Sequence, residues 1–220
     1  MIDTINNKME MNWSWVKGFF EGDGNSSYNP GGIYLVAFTQ KNPEILYKIK
    51  EFIGCGNKVV KVNGGAYKFR ITDKYNVSRI LNSMSQAEKN ISYYAGLIEA
   101  EGCFGSSMDS KFSFCIAMYD KEVIEDFKEF FKIQSIKVNE RINKWNKKYY
   151  SYTINSFKDC VTFCNILKEE NFISSHKRKQ FIIFKEVMEH KLAKSESKDY
   201  YFEKSMLMKE IKKDQYTEVF

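Results

Sequence analysis

The acidic residues best placed to do chemistry are Asp23 and Glu101, because each sits at the same point of a repeated nine-residue pattern. Val16-Lys17-Gly18-Phe19-Phe20-Glu21-Gly22-Asp23-Gly24 and Tyr94-Ala95-Gly96-Leu97-Ile98-Glu99-Ala100-Glu101-Gly102 both read apolar, any, Gly, apolar, apolar, acidic, small, acidic, Gly. The small residues recur four apart, Gly18 with Gly22 and Gly96 with Ala100, which puts each pair on one helix face and lets two backbones approach closely. The closing residues, Gly24 and Gly102, are expected to stop the helices in the left-handed conformation. If the two helices pack parallel, Asp23 and Glu101 meet at their negative C-terminal ends. At ~4 Å and an effective dielectric of about 20, two carboxylates repel by up to about 4 kcal/mol. Such a pair calls for hard divalent cations with oxygen ligands, Mg²⁺ above all, which retain bound water as a potential nucleophile.

The rest of the chain must hold that pair in place. With 220 residues, 43% hydrophobic and 16% aromatic, it can bury a sizeable core. No apolar run approaches ~20 residues, so no membrane span is expected. Residues 1–12 show neither a signal nor a transit pattern and are expected to form a flexible N-terminus. The five cysteines are odd in number and read as reduced; Cys160 and Cys164, with His176 nearby, lack the companion pair of a zinc set. The net charge of +6 favours an anionic partner.

In chain order, the first motif helix precedes a hairpin over 25–40 with a turn at 29–32. A helix started by Pro43 and stopped by Gly54-Cys55-Gly56 follows, then a hairpin over 58–71 turning at Asn63-Gly64-Gly65, then a helix capped by Asp73. From Ser92 the order recurs, with strands from Cys103 and over 112–119, a turn near 108–110, a helix carrying Val123, Ile124, Phe127 and Phe130, strands over 136–143 and 149–154, and a helix through Leu167. The repeat of this order, with the two acids 78 positions apart, marks a tandem duplication. The expected fold class is α+β: duplicated αββαββα halves related by a pseudo-two-fold axis, with two antiparallel sheets. The expected boundaries are 13–84 for the first half, 85–91 for the linker, 92–174 for the second half and 175–220 for C-terminal helices, the charged stretch 199–213 being a solvated terminal helix. Strand alternation assigns Ser27, Lys61, Lys68 and Arg70 to the sheet face opposite the core in the first half. In the second half it assigns Ser107, Asn139, Arg141, Asn143, Lys147, Ser151 and Thr153. Basic and amide side chains on a twisted sheet suit phosphate contacts and base-edge hydrogen bonds.

Both nine-residue stretches resemble the LAGLIDADG motif of homing endonucleases, degenerate in letters but intact in pattern, and the resemblance extends over about residues 13 to 190. It implies two sheets forming a saddle on about two turns of double-stranded DNA. It further implies that Asp23 and Glu101 bind the divalent ions, Mg²⁺ with Mn²⁺ as a substitute, assisted by the carbonyls of Gly22 and Ala100. Glu21 and Glu99 would be structural. Gln40 and Lys177 would hold the attacking water network, with Lys179 a near-equal candidate for the second role. In the second half Asp120 stands in the place of Gln40 and only Lys89 answers Lys177, which implies unequal half-sites and an asymmetric target. The activity implied is that of a monomeric, intron-encoded, site-specific endonuclease making a double-strand break. The alternative is an intron maturase that binds intron RNA on the same fold; two intact acids favour the nuclease. Family habit, together with a composition rich in Asn, Lys, Ile, Phe and Tyr, implies an organelle, the mitochondrion ahead of the chloroplast.

Overall fold

The computed structural model of the protein describes residues 10–28, 34–107, 111–133, 137–193 and 198–214. Helix α1 (Trp13–Asp23) leads into strands β1 (Gly24–Tyr28) and β2 (Tyr34–Gln40), helix α2 (Pro43–Ile53), strands β3 (Val60–Lys61) and β4 (Tyr67–Ile71), and helix α3 (Lys74–Gln86). The order then repeats as α4 (Ile91–Glu101), β5 (Cys103–Ser106), β6 (Phe112–Met118), α5 (Lys121–Phe130), β7 (Asn139–Ile142), β8 (Lys148–Ile154) and α6 (Phe157–Ile166). Helices α7 (Ser175–Ala193) and α8 (Lys198–Asp214) complete the described chain. The strands form two four-stranded antiparallel sheets, ordered β1-β2-β4-β3 and β5-β6-β8-β7. The chain is thus the duplicated α+β fold that its repeats predict. The turns expected at 29–32 and 108–110 lie outside the described residues. Among the described residues, no helix is long and apolar enough to cross a membrane.

Short polar residues fix where the helices begin. Asn12 accepts a hydrogen bond from the Trp15 amide, Asn42 from Glu44, Asp73 from Asn76, Asp120 from Glu122 and Ser156 from Asp159, each satisfying a donor that the first turn leaves unpaired. Gly54 ends α2 at φ 74°, in the left-handed region. Gly24 and Gly102 do not match the left-handed stop expected of them: their φ values are −99° and −71°, because the chain passes straight from helix into strand. Space is the constraint on both. A Cβ on Gly24 would lie 2.2 Å from the Phe20 ring, and one on Gly102 2.7 Å from the Ile98 carbonyl oxygen.

Helices α1 and α4 meet at the centre, back to back. A Cβ on Gly18 would come within 1.9 Å of the Tyr93 carbonyl oxygen, and one on Gly96 within 2.1 Å of that of Trp15. Residue for residue, 18 meets 93 as 96 meets 15, which is the signature of an internal two-fold axis. One face of each sheet packs on helices. Phe38, Phe69 and Ile71 bury with Phe19, Ile49 and Ile80 in the first half; Phe104, Phe114 and Ile116 bury with Phe127, Phe163 and Phe184 in the second. Each such side chain stabilises the fold by roughly 1.5–3 kcal/mol relative to exposure.

Helix α8 departs from the solvated terminal helix expected over 199–213. Ser205, Met208 and Ile211, three apart, form a buried stripe, and the Ser205 hydroxyl bonds to the Ser106 hydroxyl at 3.1 Å and donates to the Ser107 carbonyl at 3.0 Å. Lys204 pairs with Glu186 of α7 at 2.7 Å. The stripe has few large apolar residues, so the abundant charges of the segment mask it in sequence.

Candidate active site

The close approach of α1 and α4 continues to their C-termini, where a Cβ on Gly22 would lie 2.5 Å from the Ala100 Cβ and 2.9 Å from the Glu101 Cγ. Asp23 and Glu101 therefore sit side by side at two negative helix ends. Burial, reinforced by the charge of Glu101, raises the Asp23 pKa to about 8 against the opposing pull of Lys177. Burial raises Glu101 as well, again with Lys177 opposing. Gly22 and Ala100 belong to the last helical turns, whose carbonyls lack intrahelical donors. Among the described residues no group of three or more His, Cys, Asp or Glu could hold a metal. Two carboxylates and helix-end carbonyls make an all-oxygen donor set that leaves room for water and phosphate oxygens, which fits a hard ion such as Mg²⁺ or Mn²⁺.

Gln40, the last residue of β2, donates through Nε2 to Asp23 Oδ2 at 2.6 Å, and its Oε1 accepts from the Lys41 amide at 2.7 Å. Lys177 lies buried in the first turn of α7, where its Nζ donates to the Gly102 carbonyl at 2.6 Å. Burial lowers the Lys177 pKa, although Glu99 and other negative groups oppose it. Lys179 is exposed, so geometry separates these two candidates. What sets Lys177 is Glu99. Its carboxylate accepts from the Ile173 and Ser174 amides at 2.7 and 2.9 Å and from the Ser174 hydroxyl at 2.5 Å, and that hydroxyl accepts from the Lys177 amide at 3.2 Å. The Ser174 hydroxyl thus caps the start of α7, and the Glu99 carboxyl, whose pKa burial raises against these hydrogen bonds, holds that cap in place. In the first half the corresponding Glu21 accepts from the Tyr93 hydroxyl.

Two cavities flank the acid pair. One of about 430 Å³ is lined by Asp23, Gln40, Lys41, Cys103, Lys177 and Lys212, among others. The other, of about 450 Å³, is lined by Glu101, Glu21, Met118, Asp120, Trp145 and Tyr149, among others. The expected equivalence of Asp120 with Gln40 does not hold. Gln40 pairs with Tyr67 and stands two residues before the cap Asn42; Met118 pairs with Tyr150 and stands two residues before the cap Asp120. Met118 is therefore the counterpart of Gln40, and Asp120 that of Asn42. Lys89, the suggested counterpart of Lys177, has its Nζ paired with Asp126 at 2.5 Å and does not line the cavity beside Glu101.

On the sheets, register sorts the faces. Ser27, Lys68 and Arg70 lie opposite the core in the first sheet, as Asn139, Arg141 and Thr153 do in the second. Asn25, Thr39 and Tyr149 share those faces and escaped the sequence reading; alternation alone could have found them once the strand ends were known. Lys61 is misplaced by the sequence. It pairs with Tyr67, on the face of Phe69 and Ile71, and its Nζ lies 5.9 Å from the Tyr67 ring; Val60 takes the open face beside Lys68. Ser151 lies on the open face but is 3% exposed, closed over between Ala117 and Asn139. Ser107 and Asn143 serve turns. The Ser107 hydroxyl accepts from the Lys111 amide, and Asn143 Oδ1 accepts from the Trp145 and Lys147 amides, which leaves the Lys147 side chain exposed at the tip.

Known proteins place this arrangement. The LAGLIDADG-like domain family matches residues 88–168. No curated protein matches the sequence significantly. Among solved structures, the LAGLIDADG homing endonuclease I-GzeII in complex with its DNA target is 14% identical, with a TM-score of 0.66 over 91% of this chain and 97% of that one. The LAGLIDADG meganuclease I-AabMI bound to uncleaved DNA is also 14% identical, with a TM-score of 0.64 over 91% and 98%. I-SmaMI bound to uncleaved DNA in the presence of calcium ions is 13% identical, with a TM-score of 0.61 over 92% and 98%. Residues 88–168 are thus similar to the LAGLIDADG-like domain family, and the whole chain, first half included, has the duplicated fold seen in the LAGLIDADG homing endonucleases.

Proposed function

We propose that this protein is a monomeric, site-specific DNA endonuclease that makes a double-strand break at a long asymmetric target by divalent-metal-dependent hydrolysis. The observation that carries the reading is the half-buried pair of Asp23 and Glu101, at the junction of two halves whose sheets each keep a polar face open. Two half-buried carboxylates held together at helix C-termini are costly unless a cation joins them. Mg²⁺ or Mn²⁺, when bound, supplies an activated water and stabilises the leaving oxygen. Asp23, Glu101 and the carbonyls of Gly22 and Ala100 are the groups that would hold it. Gln40 orients the Asp23 carboxylate and can hold water beside it. Lys177 presents a buried cation toward the phosphate. Lys68, Arg70 and Arg141 on the open faces, with Lys147 at the turn tip, supply phosphate contacts, while Ser27, Asn139 and Thr153 can reach base edges.

The test is cleavage of a randomised double-stranded DNA library with Mg²⁺ or Mn²⁺ and sequencing of the cut ends, beside Asp23→Asn and Glu101→Gln. Cutting at one asymmetric site, lost in either variant while binding persists, is the expected result. Binding of intron RNA with no DNA cleavage in any divalent ion would replace this reading with the maturase.

A further inference from the structure

We propose that the two target strands are cut in a fixed order, rapidly at the phosphate facing Asp23 and slowly at the phosphate facing Glu101, so that nicked duplex accumulates. This rests on the endonuclease reading above. Duplication would make the two cavities alike, yet the side-chain donors Gln40 and Lys177 that line the cavity with Asp23 have no counterpart lining the cavity with Glu101. Gln40, which bonds Asp23 at 2.6 Å, is answered by Met118, whose thioether has no N–H to donate. Lys177 lines the cavity beside Asp23, whereas Lys89 is held by Asp126 at 2.5 Å and does not line the cavity beside Glu101.

Charge separates the cavities further. Besides Asp23, the first cavity is lined by Lys41, Lys177 and Lys212 against one further acid, Glu99, whereas the described lining of the other adds Glu21 and Asp120 to Glu101 and holds no Lys or Arg. Lys212 comes from α8, an element of the C-terminal segment that lies outside the repeat, and its Nζ rests 3.3 Å from the Cys103 sulfur. Hydrolysis builds negative charge on the phosphoryl oxygens and on the departing oxygen. Fixed donors and cations lower that barrier, and nearby carboxylates raise it. At each cut a water oxygen bonds to phosphorus, one ester P–O bond breaks, and the departing oxygen takes up a proton, leaving one phosphate end and one hydroxyl end. The difference in donors therefore acts on the rates of two otherwise identical reactions.

A supercoiled plasmid carrying the site recovered from the random library, and a linear duplex labelled on each strand in turn, test this directly. Open circles should form on the order of tenfold faster than linear product, with the same strand always cut first. Met118→Gln should speed the slow strand and Gln40→Met slow the fast one, so both variants bring the two rates together; a variant that is merely less well folded would slow both strands alike. Equal rates in the unaltered protein, or equal slowing of both strands by Gln40→Met, would overturn the order of cutting and leave the endonuclease intact. If no library site is recovered and no nick appears with any divalent ion, both proposals fall.

Discussion

Asp23 couples the chemistry of the site to the stability of the protein. Its folded pKa of about 8 stands well above the 3.8 of a free aspartate, so the folded chain keeps a proton that the unfolded chain has already lost. That contribution to stability is fully present below the unfolded value and is lost as pH rises through the folded one. The metal-free protein should accordingly melt at a lower temperature at pH 8.5 than at pH 6. Asp23→Asn should flatten the difference, and Mg²⁺ should raise the melting temperature more at the higher pH, where the carboxylates are ionised. Calorimetry at the two pH values, with and without Mg²⁺, measures all three; an undiminished fall in Asp23→Asn would assign the effect elsewhere. Glu99 acts at one remove. Three buried donors, the Ile173 and Ser174 amides and the Ser174 hydroxyl, converge on it. Glu99→Ala leaves them unpaired and should cost roughly 3 kcal/mol in urea unfolding. Under conditions where the variant remains folded, DNA binding should survive better than cleavage, because the loosened start of α7 carries Lys177.

At the level of elements, the α1–α4 contact sets everything else. A methyl group on Gly18 or Gly96 must displace the other helix's backbone rather than a side chain, and each Gly→Ala change should cost about 3 kcal/mol or more. Gly54→Ala is the contrasting case. It meets nothing within 4 Å and carries only the left-handed strain of φ 74°, about 1–2 kcal/mol. Chemical denaturation of the three variants should rank them in that order. These glycines and the duplicated element order were legible in sequence because spacing along a helix is a local property; Gln40 entered through the family resemblance, and its bond to Asp23 is visible only in the fold. Lys61 was not. Its side is set by pairing with Tyr67, and a two-residue strand has too little alternation to declare a face. The equation of Asp120 with Gln40 failed for a related reason: polarity drew the two together, whereas the backbone ladder aligns Gln40 with Met118. Helix α8 was read as solvated because its buried stripe of Ser205, Met208 and Ile211 is thin and one of its tertiary partners, β5, is remote in sequence.

On the scale of the whole molecule, one chain already contains what a symmetric dimer would need two copies to assemble. The glycine face of α1 is occupied by α4 and that of α4 by α1, so neither motif helix offers its small-residue face to a second copy. One chain should therefore bind one duplex. Affinity should come mainly from phosphate contacts, because the chain carries a net charge of +6, the open sheet faces present Lys68, Arg70 and Arg141, and Lys147 stands at the neighbouring turn. The logarithm of the binding constant should then fall linearly with the logarithm of salt concentration. Lys68→Ala and Arg141→Ala distinguish a sheet face on DNA from a basic surface elsewhere: a side chain that neutralises a phosphate in the complex reduces the salt slope by about 1 when removed. Lys61→Ala is the internal control, since its side of the sheet is that of the core and the slope should not change. Fluorescence anisotropy titrations across a salt series, in Ca²⁺ to hold the substrate uncut, measure stoichiometry and slope together. If Lys61→Ala lowered the slope while Lys68→Ala did not, the duplex would lie on the opposite side of the first sheet, and the saddle would have to be abandoned.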